Sequence, residues 1–396
     1  SLGLVAVPGG AGSDDTTNED VELAPGGCLA VPLITGDIKA AVVGTVTDVV
    51  GDDVYGFGHS FLGYGAVDLP IATGKVHTVV SSIYRSFKFA SALETVGALR
   101  FDEATVVRGK IGAESRMIPL SISVQRYNDP QQHFYDCRIA DNQLLTPILV
   151  RIALIRAALQ YGDLPPEHSI KYKADIQIDG AEPLAFENIS TDNDVRELIQ
   201  EAITPLALLM NNPFKAVEID SIHFDISQDD ESLASHIWSI DLSDSEVNPG
   251  QKLRVDVVVE SMRSRKKKYS FEIDIPKQLE PGKYELMVLG GYEYLNFLQK
   301  AARHKFLAED TRSLTEALNL LLSIRRDRLY CVLVLQQGGV ALDRAELPDL
   351  PATKTLVLVD PKRTLNATAY QHWVEKSIPI DTVVADGHKM EIVVVE

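Results

Sequence analysis

The sequence is short of several things that would each point to a function. It holds 3 cysteines and 2 tryptophans in 396 residues. Cys28, Cys137 and Cys331 lie far apart and match no zinc or thioredoxin spacing. Their odd number leaves at least one free thiol, and core packing is the role expected of each. HExxH, HxH and Cys–His pairs at ligand spacing are all missing, so neither a metal nor another cofactor is expected. Walker and GxGxxG loops are missing too. The most apolar helical stretch, Leu144 to Tyr161, carries Arg151 and Arg156 and reads as a buried helix, so no transmembrane segment is expected. Positive charge is scarce: 38 Lys and Arg stand against 56 Asp and Glu, a net charge of −18. That balance excludes nucleic acid as an expected partner, because phosphate binding needs clustered cations. The one basic run, Arg263 to Lys268, lies between two alternating segments and reads as a solvated hairpin turn; contact with a polyanion or membrane surface is the sharper alternative. An initiator Met and a leader-like segment are lacking as well. The start at Ser1-Leu2-Gly3-Leu4 reads as the interior of a longer protein.

What is present is ordinary globular composition, 45% apolar and 24% charged with 26 Gly and 19 Pro, in a chain long enough for two to four domains. Residues 1–27 read as a short apolar strand, Leu4 to Val7, and a flexible loop. Residues 28–125 read as all-β: short alternating runs (Leu29 to Ile34, Ala40 to Val50, Val76 to Ser82, Ile118 to Val124) punctuated by Gly-Asp turns predict a small barrel or sandwich. Residues 126–212 read as a mixed connector with helices over Leu144–Tyr161 and Val195–Met210, the second capped within Thr191 to Asp194. Period-2 alternation returns over 213–290, with Pro-Gly turns at 249–250 and 281–282, which predicts an immunoglobulin-like sandwich. Its expected core includes Trp238, Ile240, Val255, Val257, Phe271 and Ile273. Residues 291–396 read as a small α/β unit, with a strand expected over Thr355–Val359. The fold class expected is mainly β with α+β parts.

Of nine histidines, His133, His168, His223, His236, His304, His372 and His388 lie in polar or strand contexts without partner spacing, and structural or surface roles are expected for them. His77 sits in an alternating strand and is read the same way. His59 differs. It lies in Tyr55-Gly56-Phe57-Gly58-His59-Ser60-Phe61-Leu62-Gly63, at a strand end among glycines, where a turning backbone can project an imidazole toward a cleft. A general base needs that placement, with one ring nitrogen held and the other free.

A collinear series runs through Ala24-Pro25-Gly26-Gly27, Val31 to Asp37, Gly44-Thr45-Val46-Thr47, Gly56 to Phe61, Val67-Asp68-Leu69-Pro70, Val76 to Val80, Ser86 to Ala90, Arg108 to Gly112 and Met117 to Leu120. Over about residues 20–125 it resembles the SpoIVB-type (S55) serine peptidase domain. The resemblance implies a trypsin-like β-barrel, a Ser-His-Asp triad, serine endopeptidase activity on a protein or peptide, and a bacterial, extracytoplasmic setting. The family's histidine falls on His59. Its serine segment, of Gly-x-Ser-Gly type, has no counterpart: the chain contains no Ser-Gly dipeptide. In long relatives that segment can precede the histidine, so the partner could be the protein's own upstream segment. The chain is therefore expected to supply the general-base histidine and to be inactive alone. Substitutes are poorly placed: Ser60 points away from its neighbour His59 on an extended strand, and Ser81, Ser82 and Ser86 lack an oxyanion-type glycine. Asp37 and Asp68 are the nearest acidic candidates, though turn roles suit both. The alternative is a non-catalytic extracytoplasmic binding or scaffold protein built on a decayed peptidase barrel.

Overall fold

A computed structural model describes residues 21–81, 87–192, 194–261, 265–348, 350–358, 360, 362 and 367–395. The expected Leu4–Val7 strand lies outside the described residues, as do Ser82, Ser86, Asn193, Arg263, Ser264 and Val359.

The chain is mainly β. Six strands close into a barrel: β1 (Cys28–Gly36), β2 (Ala40–Val50), β3 (Asp53–Gly56), β4 (Gly65–Val80), β5 (Phe87–Glu103) and β6 (Val106–Ile111). They run in the order β1-β2-β3-β6-β5-β4, and β4 returns to β1 through Cys28↔Gly74, Leu29↔Thr73 and Ala30↔Ala72. Closure needs strong coiling, and the β4–β5 ladder supplies it with four register irregularities. Leu29, Val31, Val46, Val54, Leu69, Ile71, Leu99 and Val107 fill the interior, all essentially solvent-free. Gly56 is needed there: a Cβ on it would lie 2.5 Å from Leu29 Cδ2.

The barrel ends at Ile111, not at residue 125 as the sequence suggested. After the left-handed Gly112 (φ +74°), Arg116 is clamped by Asp141 (3.2 Å), Glu218 (2.7 Å) and the Ile219 carbonyl (3.0 Å), which turns the chain out of the barrel. The next strand, β7 (Met117–Arg126), pairs with β8 (His133–Ala140), and β8 pairs with the far end of β1. The mixed segment adds α1 (Leu145–Leu159), β9 (Ser169–Ile178), β10 (Leu184–Ser190) and α2 (Arg196–Met210). Asn142 Oδ1 accepts the Leu144 and Leu145 amides at the start of α1, and Arg151 on α1 points to solvent. The strand β11 (Ile219–Asp229) completes an outer sheet β10-β9-β11-β7-β8 that continues the barrel sheet.

This placement of β11 corrects the expected 213–290 sandwich. Ile222, Phe224 and Ile226 are buried in the first core, so β11 is held by β7 and β9. A sandwich does form, from later strands. One sheet is β12 (Ala234–Leu242), β14 (Lys252–Ser261), β15 (Lys266–Asp274) and β20 (Val383–Val384). The other is β13 (Glu246–Val247), β16 (Gly282–Leu289), β17 (Arg328–Leu342), β18 (Ala345–Leu347), β19 (Ala367–Pro379) and β21 (Gly387–Val394). Val255, Val257, Phe271 and Ile273 share one core with Leu286, Val288, Leu333 and Ile392. The 291–396 segment is therefore not a separate unit, since its strands build half the sandwich. Its helices are α3 (Gly291–Ala301), α4 (Thr311–Leu322) and α5 (Ala352–Leu358). In place of the expected strand over Thr355–Val359, α5 forms, because the Pro351 carbonyl accepts the Lys354 and Thr355 amides and winds the segment locally.

Trp238 is 57% exposed, which corrects its assignment to the core. A β-bulge between Ile237 and Ser239 puts Ile237 opposite Val259 and Ile240 opposite Val257, so the apolar face skips Trp238. The indole lies outside under Lys266 Nζ, 3.2 Å from its ring centre. Beyond it Lys267 pairs with Asp381 (2.6 Å) and Lys268 with Asp256 (2.9 Å).

Candidate functional site

The His59 segment is the loop joining β3 to β4 at the barrel rim. Its backbone reverses through two consecutive left-handed residues, Phe57 (φ 69°) and Gly58 (φ 71°). A non-glycine there costs about 1–2 kcal/mol. Packing offsets it: the Phe57 ring lies against Gly44, where a Cβ would come within 2.1 Å of Phe57 Cδ1, and meets Phe61 edge-on at 6.2 Å.

His59 is exposed, and its Nδ1 lies 2.6 Å from the Ser60 carbonyl oxygen. A carbonyl only accepts, so Nδ1 carries the proton and the neutral ring keeps its lone pair on Nε2. Nε2 has no hydrogen-bond partner among the described residues. The loop itself is held by Asp102, at the end of β5. This carboxylate is 1% exposed and accepts the backbone amides of Phe61 (2.6 Å), Leu62 and Gly63 (2.7 Å). Asp102 went unread in the sequence because Phe101-Asp102-Glu103 looks like any solvated strand end; its partners lie about forty residues away.

The acidic residues nearest in sequence are engaged elsewhere. Asp37 accepts the Asp136 amide (2.8 Å), and Asp68 accepts from Arg100 Nη1 (2.5 Å) and the Arg116 amide (3.2 Å). Ser60 gives its amide to the Ala104 carbonyl (3.2 Å). Ser81 is exposed at the end of β4. Among the described residues no serine hydroxyl or carboxylate hydrogen-bonds to His59. His77 lies on the outer arm of β4 with Nε2 2.8 Å from Ser91 Oγ.

Two other histidines find local partners: His133 meets Asp129 (2.8 Å), and buried His168 meets the Pro165 carbonyl (2.7 Å). Among the described residues no three His, Cys, Asp or Glu are grouped to hold a metal ion, and no helix is long and apolar enough to cross a membrane. All three cysteines are free thiols. Burial pushes the Cys331 thiol up to about 12, whereas Cys28 is only half-buried; burial also raises the Cys28 thiol, against a lowering from nearby Lys88.

Comparison with known proteins found no match to this chain among family models, curated proteins or solved structures.

Proposed function

We propose that this chain is the histidine-bearing portion of an S55 (SpoIVB-like) serine endopeptidase, with His59 as general base and the nucleophile on a segment absent from the sequence. The observation that carries the reading is the state of the His59 ring. It stands exposed at a barrel rim, its Nδ1–H tied to the Ser60 carbonyl, its Nε2 without a hydrogen-bond partner among the described residues. A base that must take a serine proton needs that tautomer and that exposure. The collinear motif series over residues 20–125 supports the same reading, as does a closed six-stranded barrel in that part of the chain. Among the described residues no serine hydroxyl bonds the imidazole, and the chain by itself is expected to leave casein intact. The extracytoplasmic, bacterial setting belongs to this reading as well.

One observation favours the alternative, a non-catalytic binding or scaffold protein: no carboxylate supports His59 among the described residues. The two separate on one variant. His59→Ala in the full-length protein is expected to abolish peptide hydrolysis and leave the circular dichroism spectrum unchanged. Wild-type turnover in that variant, or no hydrolysis by the full-length wild type, leaves the scaffold reading.

A further inference from the structure

On the open face of the outer sheet, parallel β7 and β11 set Ser121 beside His223 and Ser123 beside Asp225. The side chains link up. Ser121 Oγ lies 2.7 Å from His223 Nδ1, His223 Nε2 lies 3.2 Å from Asp225 Oδ1, and Ser123 Oγ lies 2.5 Å from the same oxygen. Gln132 Nε2 donates to Ser123 Oγ at 3.1 Å. Donor chemistry orients this chain. The Asp225 carboxylate beside Nε2 favours the ring form with its proton on that nitrogen, which leaves Nδ1 as the acceptor for the Ser121 hydroxyl. Ser121 and His223 both line a cleft of about 500 Å³, with Thr35, Gly36, Asp136 and Arg138 on its walls. Arg138 is the one Lys or Arg lining it and forms no ion pair among the described residues.

We propose that Ser121, His223 and Asp225 form an acyl-transfer site, separate from His59, that acts on small carboxylic esters with good leaving groups. Ser121 Oγ adds to the ester carbonyl carbon while its proton passes to His223 Nδ1. The bond to the leaving alcohol breaks, and that oxygen takes the proton from Nδ1. Water then adds to the acyl-serine with its proton going to Nδ1, and Ser121 Oγ leaves and takes the proton back; the products are acid and alcohol. Asp225 is a positioning residue that fixes the ring and its tautomer. The class of ester follows from what the site lacks. Ser121 is mid-strand between β8 and β11, where its backbone belongs to the ladders, so no pair of amides is free to form an oxyanion hole. Arg138, on the wall of the same cleft, is the cation available to a developing oxyanion. That suits an activated ester and leaves a peptide bond out of reach.

The test uses the 396-residue chain and p-nitrophenyl acetate. The wild type is expected to release p-nitrophenol with a first-turnover burst and to carry an acetyl group on the tryptic peptide 117–126. Ser121→Ala abolishes both, and Ser121→Cys restores acylation at the same peptide, which separates loss of the nucleophile from loss of fold. His223→Gln lowers the acylation rate by about 10²-fold or more. Asp225→Asn lowers kcat and leaves KM unchanged. His59→Ala changes nothing here. A burst that survives in Ser121→Ala, acetylation spread over surface lysines, or hydrolysis by the folded wild type no faster than by free imidazole overturns the proposal.

Discussion

Asp102→Asn removes one oxygen from the carboxylate that gathers the His59 loop. In the protein Oδ1 takes the Phe61 amide and Oδ2 takes those of Leu62 and Gly63. An asparagine has one acceptor oxygen and one donor group, so at best it keeps two of the three bonds and turns its NH2 toward the third amide. Hydrogen bonds to a charged group contribute about 1.5–3 kcal/mol each and neutral ones about 0.5–1.5. With charged bonds at the low end of their range and neutral ones at about 0.5–1 kcal/mol, one bond lost and two weakened come to about 3 kcal/mol for holding the loop closed. The chain has more than one core, so a single unfolding midpoint is the wrong readout. Backbone amide exchange is local, and about 3 kcal/mol corresponds to roughly two powers of ten in opening. The Phe61, Leu62 and Gly63 amides are therefore expected to exchange about 10²-fold faster, while Val31 and Leu99 inside the barrel keep their protection. If the three loop amides stay within about threefold of wild type, Asp102 does not hold the loop and the account of how His59 is placed fails.

Three further outcomes follow from the packing. Arg326 donates to Tyr172 Oη (2.9 Å) and Glu201 (2.5 Å) between the outer sheet and the sandwich, so Arg326→Ala strands a part-buried carboxylate and is expected to cost about 3 kcal/mol, read as faster amide exchange along β10 and α2. Trp238→Ala, at an exposed bulge, should cost under about 1 kcal/mol, not the roughly 3–5 of a core tryptophan; urea unfolding followed by circular dichroism decides between them. At pH 8 Ellman's reagent should react first with half-buried Cys28, and with Cys331 only after unfolding, since burial holds the Cys331 thiol protonated up to about pH 12.

Periodicity in the sequence carried the local elements well. Leu144–Tyr161 became α1 and Val195–Met210 became α2, because an apolar stretch of helical length leaves little else for the backbone to do. It did not carry which strands pair. Ile219 to Ile226 alternates like a sandwich strand, and nothing in that alternation distinguishes a partner in β7 from one in β12. Trp238 failed for a related reason: one inserted residue inverts the face of everything around it, and a bulge leaves no mark on composition. At the candidate site the glycines around His59 announced a sharp turn, which Phe57 and Gly58 form. The carboxylate that gathers the loop amides is Asp102, and the ones nearer in sequence, Asp37 and Asp68, serve other amides and an arginine. Contacts set by tertiary pairing across forty or a hundred residues have no local signal to read.

One edge of β1 is used twice: Cys28, Leu29 and Ala30 pair with β4, and Ile34, Thr35 and Gly36 pair with β8. Seen in time, the two halves close on different schedules. β4 follows β1 from the ribosome within tens of residues, whereas β7 must wait for a parallel partner 102 positions later, Ser123 for Asp225. At about 5–20 residues per second that wait lasts roughly 5–20 s. A nascent chain halted before β11 would hold a finished barrel beside a β7 whose backbone edge has no partner, the part of this molecule most in need of a chaperone.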